Sequence, residues 1–409
     1  MNSLLRSQAD TIIASSIQAV LPDSAVKKAL EGKHFPGRVL LVAAGKAAWQ
    51  MAKAAHDVLG DTICAGVVVT KYDHVKGPIG KFILCEGGHP VPDDNSFAGT
   101  RQALQLTENL DKTDTVLFLL SGGGSALFED PLVSGTELQD ITRQLLASGA
   151  DIVEMNTVRK RLSRVKGGRF AQHCAPAQVY TVVLSDVLGD PLDMIASGPA
   201  YPDSSTCRDA LAIAEKYGLQ LSRTAMACLN EETPKALPNV TTTVTGSVRQ
   251  LVAAAADAAR ALGYEPVILT DLLCCQAKEA GSFLATVAKT HAGSGKAFIA
   301  GGETVVKLTG KGLGGRNQEL ALAAAAVLDG TENIALFSVG SDGTDGPTDA
   351  AGGYADGDTA AELAAKGISI HETLQNNDAY HGLQAVNGLI ITGPTGTNVN
   401  DVAVALCRR

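Results

Sequence analysis

The sequence predicts an α/β protein of two α/β domains with mainly parallel sheets. Apolar, β-branched runs alternate with stretches of helical spacing through nearly the whole chain, the pattern of strands covered on both faces by helices. A length of 409 residues suits two to three domains, at about 150 residues per domain. Glycine supplies 43 of the 409 residues, against a usual share of about 7%, and the excess clusters beside strand-like runs, as backbone-lined binding loops require.

Residues 1–21 read as an amphipathic helix interrupted by Gln8 and Asp10; without a basic leader or a small-residue cleavage site, a signal peptide is not expected. Residues 38–44 (RVLLVAA) form a strand leading through Gly45 into a helix over 46–59. Strands follow at 65–70 and 81–85, then a helix over 93–110 that opens with acidic residues after Pro92. Residues 115–120 (TVLFLL) are a buried strand running into SGGGS. Helices over 136–148 and 151–165, a strand over 178–184 and two further helices after Asp203 complete the first half. Residues 231–238 (EETPKALP) break the pattern with two prolines and divide the chain into a Rossmann-like domain, 1–235, and a second α/β domain, 236–409. In the second, strands are expected at 241–245, 266–270, 297–300, 304–308, 334–339 and 389–392, with helices between most of them.

A net charge of −9 argues against a nucleic-acid or anionic-membrane surface, and aromatics at 4%, with Trp49 the sole tryptophan, argue against base-stacking platforms. No apolar run is long enough to span a membrane. The eight cysteines form no CxxC pair and read as free thiols of a reducing cytoplasm. Histidines lack ligand spacing such as HExxH, so a structural zinc site is not expected.

Five segments carry the chemistry. Gly45–Lys46, at a strand-to-helix turn, can place an ammonium beside backbone amides that attract phosphate. Ser121, Gly122, Gly123, Gly124 and Ser125 let backbone N–H groups approach an anion, with two hydroxyls added; a plain turn needs only one glycine. Residues 156–169 (NTVRKRLSRVKGGR) concentrate Arg159, Lys160, Arg161, Arg164, Lys166 and Arg169 in an acidic chain, and on a helix positions 156, 159, 160 and 163 share a face suited to an anionic substrate or phosphates. About half of those side chains are expected to be solvated. Asp186 and Asp190 follow a buried strand, with Ser197 beyond them, and can hold Mg²⁺ or act as a base toward a hydroxyl; Asx-turn and capping chemistry is the bland alternative. Gly310, Gly312 and Gly315 formally match GxGxxG before Arg316, whose guanidinium suits phosphate or carboxylate. The loop from Asp342 to Asp345 serves a metal or is an acidic turn. A Walker A pattern, a GxSxG elbow and the protein-kinase motifs are absent.

Taken together, AAGKAAWQMA, GGHPVPDDNS, LSGGGSALFEDP, NTVRKRLSRVKGGR, LSDVLGDPLDMIASGPAYPD, GGETVVKLTGKGLGGRNQELAL, SVGSDGTDGPTDAAGG and GPTGTNVNDV, in that order over about residues 40–402, resemble the class II glycerate 2-kinases, whose C-terminal part is the MOFRL domain. The resemblance implies ATP-dependent, Mg²⁺-assisted phosphorylation of D-glycerate to 2-phosphoglycerate in a cleft between two α/β domains. By carry-over, Lys46 and Arg316 match the positions regarded as catalytic cations. Within that frame Gly45 and residues 121–125 would cradle the nucleotide phosphates. Asp190 would serve as base and Asp186 would bind Mg²⁺, roles that could be exchanged, and Asp342 is a further metal candidate. Asn156, Arg159, Lys160, Lys166 and Ser197 would hold the substrate. The protein is expected to be cytoplasmic, a monomer or homodimer. The alternative is an NAD(P)-dependent hydroxypyruvate or tartronate semialdehyde reductase using the Gly310–Gly315 loop; against it, that loop lacks a well-spaced ribose-binding acid, and no His–acid pair is evident. A non-catalytic sugar-phosphate or nucleotide sensor is a third reading, disfavoured because a sensor needs no converging lysine, arginine and paired aspartates.

Overall fold

The run VLLVAA carries no polar side chain, so it is stable only between two apolar layers, and as strand β1 (Val39–Ala44) all six of its residues are buried. The computed structural model describes residues 1–409. One compact unit, Ala25–Thr245, is built around β1 with β2 (Ile63–Lys71), β3 (Ile83–Gly87), β4 (Thr115–Leu120), β5 (Gln178–Leu184) and β6 (Val240–Gly246), in the order β3-β2-β1-β4-β5-β6. The β1–β2, β1–β4, β2–β3 and β4–β5 pairs are parallel. This strand order is that of the dinucleotide-binding α/β fold, with a reversal of winding between β1 and β4, where ligands sit at the carboxyl ends of the strands.

One face of the sheet packs on the helix Ala48–Leu59 through Met51, Ala52 and Ala55. On the other, Phe118 of β4 packs on Phe128 and Phe170, the three rings lying 4.8–5.4 Å apart between centroids. The prolines at 234 and 238 precede the last strand of this sheet rather than a new domain. Residues 241–245, read from the sequence as opening the second domain, are the edge strand β6 of the first.

The other unit comprises Met1–Ser24 and Gly246–Arg409. Its strands are β7 (Glu265–Leu273), β8 (Lys296–Gly302), β9 (Ile334–Gly340), β10 (Gly352–Asp356), β11 (Leu389–Ile390) and β12 (Asp401–Cys407), ordered β11-β10-β9-β12-β8-β7. β7 and β8 are parallel, while β12 is antiparallel to β8 and β9, and β10 to β9 and β11. Four of the six strands therefore run one way, but only the β7–β8 pair is parallel; the expected α/β class holds in both units, and the parallel pairing holds in the first sheet. The N-terminal helix Ser3–Ala19 packs on the helix Val248–Ala261 of the same unit, where Tyr264 Oη donates to Gln8 Oε1 at 2.7 Å. Residues 304–308, expected as a strand, are not one: beyond Gly302 only Val305 bridges, to Gln276, and Leu308 is 80% exposed. No helix is long and apolar enough to cross a membrane.

Candidate active site

Both loops at the β1/β4 reversal are the ones the sequence singled out. Gly45 takes a left-handed φ of +120°, and a Cβ there would collide with Ser121. Thr70 Oγ1 donates to the Gly45 carbonyl at 3.0 Å, the Ser121 hydroxyl accepts from Ala47 N at 3.1 Å, and Lys46 N donates to Gly122 O at 2.9 Å. Lys46 thus has a fixed root against the triple-glycine turn. Its stem lies over Gly123, where a Cβ would stand 3.1 Å from Lys46 Cγ, and its ammonium, half-buried, has no carboxylate partner.

The turn leads into the short helix Gly124–Leu127, which carries Ser125 toward a second strained loop. Ala196, Ser197 and Gly198 follow one another in left-handed conformation, with φ of 51°, 61° and 65°. Such backbone is costly for a residue with a Cβ and is kept where the surroundings over-determine it. The outcome is a buried Ser197 hydroxyl that donates to Asn156 Oδ1 at 2.9 Å and lies 3.3 Å from Ser125 Oγ.

Asn156 and Arg159 stand on the helix Ile152–Arg161, which is shorter than expected. The chain leaves the helix after Arg161 because Leu162 O and Asp130 O take up backbone partners across a Pro131–Ser163 bridge, so Ser163, Arg164 and Lys166 share no helical face with them. Five of the six cations of this segment are neutralised internally. Lys160 meets Asp203 (3.0 Å), Arg161 the same Asp203 (3.6 Å), Arg164 meets Asp130 (3.2 Å), Lys166 meets Glu129 (2.8 Å) and Arg169 meets Glu231 (4.0 Å). Lys160 and Lys166, expected at the substrate, are thus buried structural charges. Arg159 alone has no ion pair: Nη2 donates to Ser125 O at 3.2 Å, Nε finds no acceptor, and burial works against its charge. An orphaned cationic donor beside two hydroxyls and an amide is suited to a carboxylate or phosphate.

After β5, Asp186 faces the same turn: a Cβ on Gly122 would fall inside contact distance of Asp186 Oδ2. Asp190 sits in left-handed conformation (φ 52°), and its Oδ1 is buried without a hydrogen-bond partner.

In the other unit, Arg316 opens the helix Arg316–Leu328 and is gripped by carboxylates. Nε and Nη2 donate to the two Asp401 oxygens at 2.6 and 3.0 Å, and Nη1 to Glu303 at 2.9 Å. Asp345 caps the helix through Asn317 N and Gln318 N, while Asp342 accepts from Thr344 N at 3.0 Å in a local turn. Burial pushes the Asp401 carboxyl up to about 6 despite Arg316. An acid raised above its unfolded value of about 3.9 holds more protons folded than unfolded in that window, so its stabilising contribution is complete below about pH 4. That contribution is lost as the pH climbs through about 6. Asp401→Asn is expected to flatten this fall in a Tm–pH series; an unchanged slope would assign the fall to other groups.

Residues 8–230 match the family described as a domain of unknown function (DUF4147), and residues 296–401 match the MOFRL family. A D-glycerate 2-kinase of Thermotoga maritima is 54% identical over 98% of both chains. The chain belongs to the class II glycerate 2-kinase family. A crystal structure of glycerate kinase from the same organism superposes on this family member with a TM-score of 0.96 at 52% identity, covering 99% of this chain and 100% of that one. A relative from Agrobacterium vitis, 41% identical over 90% of this chain and 99% of its own, is named a "putative hydroxypyruvate reductase".

The GxGxxG segment of this glycerate 2-kinase family member offers little to a dinucleotide. No strand directly precedes it, β8 ending at Gly302, and four of its amides are already spent: Gly310 N donates to Asn377 Oδ1 (2.9 Å), Lys311 N to Asn376 Oδ1 (3.2 Å), Gly312 N to Asn376 O (2.8 Å) and Leu313 N to Asp378 Oδ1 (2.9 Å). What the residue-by-residue reading missed is His89, whose Cδ2 and Nε2 would stand 3.0 and 3.1 Å from a Cβ on Gly123. The signal for it in GGHPVPDDNS is a histidine just past a strand, at the ligand-binding edge of the sheet.

Proposed function

We propose that this chain transfers the γ-phosphoryl group of ATP to the C2 hydroxyl of D-glycerate, releasing ADP and 2-phosphoglycerate. The observation that carries the reading is the reversal point of the first sheet, where an ammonium with no internal carboxylate and a triple-glycine turn meet a second cation, Arg159, also left without an ion pair. Phosphoryl transfer passes through a loose transition state and demands positioning and charge neutralisation more than covalent chemistry. Backbone N–H groups of Gly122 and Gly123 would hold the phosphates, Gly124 N being taken by Ser121 O at 3.3 Å, and Lys46 would balance charge on the group in flight. Arg159, with Ser125 and Ser197, would take the glycerate carboxylate. As the C2 oxygen bonds to phosphorus and the bond to ADP breaks, the hydroxyl proton would pass to Asp190. Arg316 is the proposed catalytic cation of the other unit.

Two carboxylates on one loop, one with an oxygen lacking any partner, fit Mg²⁺, which takes one or two protein carboxylates and completes its shell with phosphate and water. Asp186 is the proposed holder; when bound, the ion would offset phosphate charge. A reducing cytoplasm is the proposed compartment, supported by eight free cysteines.

The test incubates the purified chain with ATP, Mg²⁺ and D-glycerate, follows ADP, and reads the product's phosphate position by ³¹P NMR. Absence of glycerate-dependent ADP sinks the reading, and oxidation of NADH by hydroxypyruvate would replace it with the reductase. Arg159→Ala is expected to raise KM for glycerate roughly 10- to 100-fold, the worth of a charge-assisted hydrogen bond. KM for ATP should stay nearly constant; an equal rise in both would move Arg159 to the nucleotide.

A further inference from the structure

His89 is assigned no role in the reaction above, yet it is built into the phosphate turn. It follows β3 by two residues, on a loop held from both sides. Glu86 Oε1 accepts from His74 N (3.0 Å) and Val75 N (2.8 Å), while Asp93, whose carboxylate accepts from Ser96 N (2.9 Å) and Tyr72 Oη (2.6 Å), also accepts from the Gly88 backbone. The imidazole is half-buried with its Cδ2–Nε2 edge against Gly123, the residue over which the Lys46 stem lies. Neither ring nitrogen has a hydrogen-bond partner within the chain. A half-buried imidazole and an ammonium, both without internal partners and both laid over one glycine of an anion-binding turn, form a contact set for a ligand.

We propose that His89 contacts the transferred or adjacent phosphate directly, donating a hydrogen bond from Nε2–H to a phosphate oxygen held by Lys46 and the Gly122–Gly124 turn. This rests on the phosphoryl-transfer reading above. A donor role is favoured over that of a base. Burial first, then Lys46, Lys71 and His74, hold the imidazole below its ordinary value, so it is neutral near pH 7, and taking a proton would create a further cation among cations. A neutral N–H adds a directed hydrogen bond to an oxyanion at no such cost.

The test compares the full-length wild type with His89→Ala and His89→Gln. His89→Ala is expected to lose about 10- to 100-fold in kcat/KM for ATP, and His89→Gln, which keeps an N–H donor, to recover most of it, with Tm unchanged in both. Calorimetric binding of the β,γ-imido analogue of ATP should weaken in His89→Ala and recover in His89→Gln. A His89→Ala enzyme within about twofold of wild type overturns the proposal. So does a His89→Gln enzyme no better than His89→Ala, or a matching drop in Tm, which would mark a packing role. If the wild type fails to phosphorylate glycerate, the underlying reading fails instead, and analogue binding still decides whether His89 touches phosphate.

Discussion

Lys46→Met is expected to lose about a thousandfold or more in kcat while the chain stays folded. Methionine keeps most of the stem that lies over Gly123 and removes only the charge. Nothing in the fold depends on that charge, because the ammonium has no internal ion pair. The turn is held by backbone and hydroxyl contacts that the substitution leaves alone: Lys46 N to Gly122 O, Ala47 N to Ser121 Oγ, and Thr70 Oγ1 to the Gly45 carbonyl. Tm should therefore move by no more than about 2 °C. The loss should fall on kcat more than on KM for ATP, since charge on the migrating group is best balanced in the transition state. Lys46→Arg should restore little, because a planar fork on a different stem cannot reproduce a point charge rooted at this turn. Steady-state kinetics with a thermal melt decide the matter: near-normal kcat in a folded Lys46→Met enzyme removes lysine from the mechanism.

The sequence displays some parts of this architecture better than others, for physical reasons. β1, β4 and β5 are legible because a strand buried on both faces must be apolar throughout, and VLLVAA, TVLFLL and QVYTVVL leave no other choice. The strands absent from the expectation, β10 and β12, are the two that run against the rest of their sheet. GGYAD is five residues long, three of them glycine or aspartate, and DVAVALC opens on an aspartate and alternates valine with alanine instead of forming a continuous bulky apolar run, so both give weak strand signals although every residue of both is buried. The opposite error arose at 304–308, where TVVKL has the signature but no neighbouring strand to pair with. At the site, the glycine turn and Lys46 were visible because three consecutive glycines have few structural uses. The cation-rich segment was visible as charge, but the sequence could not reveal that Glu129, Asp130, Asp203 and Glu231 would arrive from elsewhere and leave Arg159 as the one without an ion pair.

Lys166→Met is expected to cost about 3–5 kcal/mol of stability, the usual penalty for stranding one member of a buried ion pair. Lys166 and Glu129 are both fully buried, 2.8 Å apart, and the ammonium also donates to Phe128 O at 3.0 Å. Burial holds the lysine below its ordinary value even with Glu129 beside it, so the pair survives by mutual compensation rather than by net gain. Removing the ammonium leaves a fully buried carboxylate with no hydrogen-bond donor on either oxygen. For a unit of this size the shift corresponds to a fall in Tm of roughly 10 °C. The double variant Lys166→Met with Glu129→Leu should regain most of it, since an apolar pair of similar volume carries no desolvation cost. Arg164→Ala supplies the contrast: its guanidinium is 57% exposed beside Asp130, so its loss should cost under about 1 kcal/mol. Should the single and double variants melt together, the pair contributes no coupling, and the reason these cations are spent inside the chain instead of on a ligand would have to be sought elsewhere.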